Sequence, residues 1–203
     1  MLHILNTLER EFSKKFTEYL NFGIENIGED YLLRVLDVKD SNLKDNREQI
    51  TFENHNLKFE DRYFKFFEDI FRLNNNSVFI GNFNINTIEN IKILYMLRDL
   101  DYRDSTKLIN ILRSHIRDED VYKILDFSVF KMFLTLSTRE IHFPSFYFNK
   151  LDIMVFTHYD LSTLMFFKDD KHIDTYCQIA NSNELSLNDQ ESDIKFKPLV
   201  EIL

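Results

Sequence analysis

The sequence predicts an α+β fold, an antiparallel meander sheet of about four to six strands covered by amphipathic helices. Three observations predict it. Between residues 126 and 167, apolar and β-branched residues recur in short runs, at 128–136, 145–148, 152–157 and 162–167, separated by turn-like residues. The connections between these runs are shorter than the dozen or so residues a parallel crossover needs, so successive strands must be antiparallel neighbours. Outside that stretch the apolar spacing becomes helical, which supplies the cover. A chain of 203 residues fits a single domain, with a helical subregion over 1–48 and a loose polar segment over 181–197.

Residues 4–22 carry Ile4, Leu5, Leu8, Phe12, Phe16, Tyr19 and Leu20 at the three-and-four spacing of one helical face, and Gly23 stands where such a helix stops. Residues 31–38 read as a short strand. The following 39–47 buries almost nothing and reads as an exposed loop. A short β-like run at 50–53 precedes a strongly aromatic helix over 59–73, which includes Tyr63, Phe64, Phe66, Phe67, Ile70 and Phe71. Asn74 to Asn76 breaks it, and 77–83 alternates as a strand in which Gly81 marks a bulge or a close backbone approach. Helices over 86–100, capped by Asn86 or Thr87, and 105–116 form a hairpin. After the sheet, 169–180 reads as a helix capped by Asp169 or Asp170, with Ile173, Tyr176, Cys177 and Ala180 facing inward.

Composition narrows the function classes. The formal net charge is −9, so the average surface repels nucleic acid and suits a basic protein partner. The chain has 21 Phe and 9 Tyr against 3 Gly and 2 Pro, which implies an aromatic core with little glycine-loop chemistry. Charged residues interrupt every hydrophobic stretch before the roughly 18 residues of a membrane span, and no leader-like segment opens the chain. With Cys177 the lone cysteine, no internal disulfide can form, and a cytoplasmic protein is expected.

No motif carries a specific chemistry. None of the six histidines pairs with a second His or Cys at a zinc spacing, and Gly23, Gly28 and Gly81 lie too far apart for a phosphate cradle, so no cofactor and no metal are expected. The acidic groups Glu25, Glu29, Asp30 and Asp99, Asp101, Asp104 read as solvated or turn carboxylates, and Cys177 as a small hydrophobe. The nearest approach to a constellation is His158-Tyr159-Asp160 at a strand-to-strand turn, with Asp152 and His142 near other turns of the same sheet. That set suits either an ordinary polar turn or acid/base and metal-assisted chemistry.

The run ITFENHNLKFEDRYFKFFEDIFRLNNNSVFIGNF resembles a segment of an uncharacterised family of proteins from low-GC Gram-positive bacteria, with Phe52 and Glu53 at its F-E strand and Ile70 and Phe71 at its helix end. Later, Tyr159 and Asp160 match that family's Y-D pair, and the likeness spans 50–185. The resemblance implies an immunity-protein-like role, in which a small acidic protein neutralises a cognate toxin by occluding its active site. The partner-binding residues expected are Asp152, His158, Tyr159 and Asp160, together with the 39–47 loop. The alternatives are a hydrolase using His158 and Asp160, with Asp152, around a metal, and a structural or assembly component, such as a phage-encoded one, betrayed by an apolar self-interface.

Overall fold

The computed structural model describes residues 2–3, 16, 31–39, 52–83, 88–113 and 121–189. The described strands are β1 (Leu2–His3), β2 (Leu32–Val38), β3 (Val78–Gly81), β4 (Tyr122–Ile124), β5 (Ser145–Phe148), β6 (Ile153–Thr157), β7 (Thr163–Phe167) and β8 (Leu185–Asp189). They form one sheet in the order β1-β4-β3-β5-β6-β7-β2-β8, and every neighbouring pair is antiparallel. The α+β class therefore holds, with more strands than the expected four to six. Only β5-β6-β7 is the short-turn meander read from the sequence; β3 flanks it on one side and β2 on the other.

The helices are α1 (Lys58–Leu73), α2 (Asn90–Asp99), α3 (Tyr102–Arg113), α4 (Phe127–Thr138) and α5 (Ile173–Ser182). Residues 128–136, expected as the first strand of the meander, lie instead within α4. Its residues from Val129 to Thr138 are buried except Lys131, so the helix is apolar nearly all round and its sequence shows no face. Asp126 starts it: the backbone is extended there, and its carboxylate accepts a hydrogen bond from Ser128 N at 2.8 Å. The Ser128 hydroxyl and then its amide hold the Asp126 carboxyl below its ordinary range.

Other boundaries also move. Ile50 and Thr51 lie outside the described residues, Phe52 sits in a turn, and Glu53–Leu57 is a π-helical turn that feeds α1 rather than a strand. Of the expected 4–22 helix only Phe16 is described, and it is helical; loop residues 40–47 and the capping candidates Asn86 and Thr87 lie outside. Glu89 occupies the cap position of α2 and His172 that of α5, neither through its side chain. Asp169 instead accepts from Lys171 N. Within the segment expected to be loose, Asn181 and Ser182 end α5 and β8 pairs with β2; residues 190–203 lie outside. Similarly, β2 from the 1–48 subregion is an inner strand of the sheet.

The sheet is apolar on both faces. On one, Val78, Ile80, Phe146, Phe148, Ile153, Val155, Met165 and Phe167 join the core beneath α1, α4 and α5. On the other, Phe79, Tyr147, Met154, Phe156, Leu164 and Phe166 form a second buried cluster with Phe16 and Tyr31. Phe16 stacks on Tyr147 with ring centroids 5.3 Å apart. At the centre of the first core, Phe130 of α4 meets Phe146 edge-on at 5.0 Å and packs against Phe67, Phe71 and Phe148.

Two substitutions test this packing. Phe130→Ala should cost about 3–5 kcal/mol, because a fully buried ring leaves a cavity between helix and sheet. Asp126→Ala should cost about 1 kcal/mol through loss of the cap. Urea denaturation reads both; an Asp126→Ala loss as large as that of Phe130→Ala would contradict the capping assignment.

Candidate functional site

The β6–β7 turn, which carries three of the four expected partner-binding residues, is fastened from several directions. Asp160 and Leu161 have φ values of 56° and 58°, the left-handed region that ordinary residues avoid. Such a conformation persists only where its surroundings hold it. Within the turn, His158 N donates to Ser162 O at 3.0 Å and Ser162 N to Tyr159 O at 3.1 Å. From outside, the Asp160 amide donates to Glu140 Oε1 at 2.8 Å, and the His55 Nε2 lies 3.2 Å from the Asp160 carbonyl.

Those two braces belong to a wider polar network. Glu140 Oε1 also accepts from Asn56 Nδ2 at 3.2 Å, while the same amide donates to Thr138 O at 2.9 Å. Thr138 Oγ1 donates to Glu60 Oε1 at 2.7 Å, and Arg139 grips both oxygens of Glu60 at 3.0 and 3.2 Å. The hydrogen-bonded Glu60 carboxylate holds the Arg139 guanidinium above even its ordinary high pKa, and Arg139 Nη1 donates to Asp99 O at 2.9 Å. The π turn, α1, the end of α4 and the α2–α3 link are thus tied to the base of the β6–β7 turn.

With its amide and carbonyl engaged, Asp160 presents its carboxylate outward; His158, Tyr159 and Asp160 are all exposed. The Tyr159 ring is half exposed and stands edge-on against Phe143 at 4.6 Å. On the same side, Phe52, Leu57, Arg98, Asp99, Arg139 and Ile141 line an open groove of about 460 Å3, in which Phe52 and Leu57 are substantially exposed. Its cations are already paired, Arg98 with Asp99 at 2.6 Å and Arg139 with Glu60.

Asp152 does not belong with these residues. It precedes β6 while His158 follows it, so six residues at about 3.3 Å each put them on the order of 20 Å apart at opposite ends of the strand. There its Oδ1 accepts the hydroxyls of Tyr31 at 3.1 Å and Tyr147 at 3.0 Å, which joins β6 to the second core. The set required by a hydrolase built on Asp152, His158 and Asp160 is therefore split. Among the described residues no group of three or more His, Cys, Asp or Glu could hold a metal ion.

Two other candidates are structural. His142 Nε2 contacts Asn82 O at 2.6 Å and its ring packs on Phe83; burial pushes its pKa below the ordinary 6.5, Lys92 adding to the effect and the Asn82 contact opposing it. Cys177 points its Sγ toward Leu187 O at 3.9 Å, and burial raises its thiol pKa, the opposite of an activated nucleophile. Sequence reasoning missed His55, Asn56 and Glu140, because nothing in their spacing announces that three separate segments converge. No family model matches the chain, and neither a curated protein nor a solved structure matches it.

Glu140→Ala should lower stability by about 1–2 kcal/mol and speed amide exchange of Asp160, since two donors lose their acceptor; unchanged exchange at Asp160 would contradict the brace. His142 should contribute a pH dependence. Its folded pKa lies below the unfolded value, so its contribution is intact above about 6.5 and is lost as pH falls through the folded value. His142→Asn should flatten the stability profile between pH 7 and 5 in urea titrations.

Proposed function

We propose that this chain is a protein-binding module of the immunity-protein kind, which neutralises a basic partner by seating the His158-Tyr159-Asp160 turn and the adjoining groove over the partner's working surface. The observation that carries this reading is the braced turn. An exposed aromatic side chain held on a fixed backbone loses little freedom on binding, and tyrosines in such settings are common binding hot spots. Beside it, the Asp160 carboxylate and the net charge of −9 favour a basic surface and steer it in. Phe52, Leu57 and Ile141 in the groove offer an apolar seat for a neighbouring side chain of the partner.

Asp152 drops out of the binding surface in this reading, because its carboxylate is engaged by two tyrosine hydroxyls at the far end of β6. The action is occlusion, so the chain needs no catalytic group of its own. No helix among the described residues is long and apolar enough to cross a membrane.

The test is capture from the native host by the tagged chain at low and high salt, followed by co-expression of the captured protein with and without the chain. The expected outcome is one basic protein, released as salt rises, whose toxicity the chain suppresses. Tyr159→Ala and Asp160→Asn should each weaken purified binding by about tenfold or more, while Asp152→Asn should leave it unchanged. Binding indifferent to Tyr159 and Asp160, or a metal-dependent hydrolysis abolished by His158→Ala, would overturn the proposal.

A further inference from the structure

Helix α2 is apolar on two opposite faces. Met96 is buried, and Ile93 and Leu97 are partly covered on the inner side. On the outer side Ile91, Leu94 and Tyr95 are 49%, 61% and 47% exposed, and Arg98 stacks its guanidinium over the Tyr95 ring at 5.0 Å. The spacing 91, 94, 95, 98 is a single stripe. Just past the helix, Tyr102 at the start of α3 is 86% exposed. A surface helix with one partner should be polar on its outer face, so this stripe is fitted for a second one.

We infer that the outer face of α2 is the self-association surface of this protein, where two copies pair their α2 helices antiparallel about a two-fold axis. The charge layout selects a second copy. Lys92 and Asp99 are seven residues apart, two turns, and so flank the stripe on the same side. A two-fold antiparallel pair sets that flank against the same flank of the other copy in reverse order, so Lys92 of each copy meets Asp99 of the other. Lys92 has no ion-pair partner among the described residues. Asp99, paired with Arg98, keeps acceptor capacity for it. Antiparallel pairing also opposes the two helix dipoles.

The exposed parts of Ile91, Leu94, Tyr95 and Tyr102 amount to on the order of 500 Å2 per copy, so the pair reaches about the 1,000 Å2 at which specific interfaces begin. An interface at that lower bound makes a reversible dimer rather than a permanent one. Two chains of charge −9 repel at a distance, so association strengthens as salt is raised from low ionic strength. That is the opposite of the behaviour expected for capture of a basic partner. The inference does not rest on the inhibitor reading: Arg98 and Asp99 also line the groove, but Ile91, Lys92, Leu94 and Tyr95 lie outside it.

Sedimentation equilibrium of the full chain, from about 5 to 500 µM and at several salt concentrations, tests it. The expected result is a monomer–dimer equilibrium, weakened at least about tenfold by Leu94→Asp and by Ile91→Lys, with thermal unfolding of the dilute monomer unchanged. Lys92→Asp should weaken it and the added Asp99→Lys should restore it. A chain monomeric throughout the range, a dimer indifferent to both stripe substitutions, or a charge swap without restoration would overturn the inference.

Discussion

An antiparallel sheet with apolar side chains on both faces must be covered twice, and most of this structure answers that requirement. Antiparallel sheets commonly leave one face to water and then alternate in sequence. Here β5, β6 and β7 read Ser-Phe-Tyr-Phe, Ile-Met-Val-Phe-Thr and Thr-Leu-Met-Phe-Phe, with nearly every residue buried. Alternate residues enter different cores, one roofed by α1, α4 and α5 and the other reached by Phe16. The aromatic excess suits this arrangement, since Phe130 alone touches rings from α1 and from β5.

The same property decides what was legible in the sequence. Strands β5, β6, β7 and β2 stand out because turn residues bound short apolar runs, and α1 because its polar positions fall on one side. Helix α4 does not, for a helix buried on all sides gives the same unbroken apolar run as a strand buried on both faces. The clues against a strand were the length of the run and Asp126, a capping residue immediately ahead of it. Strand β4 has three residues, and β8 lies in a polar stretch, so both depend on pairing with distant strands that no local pattern records.

At the candidate site, sequence reasoning identified the His158-Tyr159-Asp160 turn and not its supports. Two aspartates flanking one short strand looked equivalent in sequence, yet the strand's length sends them to opposite rims. Asp152 became an acceptor for the hydroxyls of Tyr31 and Tyr147, whereas Asp160 has its backbone engaged and its carboxylate free. The braces from His55 and Glu140 come from segments 105 and 20 residues away, a distance over which spacing says nothing. Among the described residues, exposed aromatic and aliphatic side chains gather at the rim near this turn and on the outer side of α2.

Phe16 offers the most direct measurement of the two-sided core. It is fully buried and stacked on Tyr147, over a face that would otherwise offer Phe79, Met154 and Phe166 to water. Chemical denaturation of Phe16→Ala, with a hydrophobic dye present in parallel samples, should show a loss of about 3–5 kcal/mol and dye uptake before the main transition. A loss under about 1 kcal/mol without dye uptake would mean that the second face does not depend on Phe16, and would contradict the account.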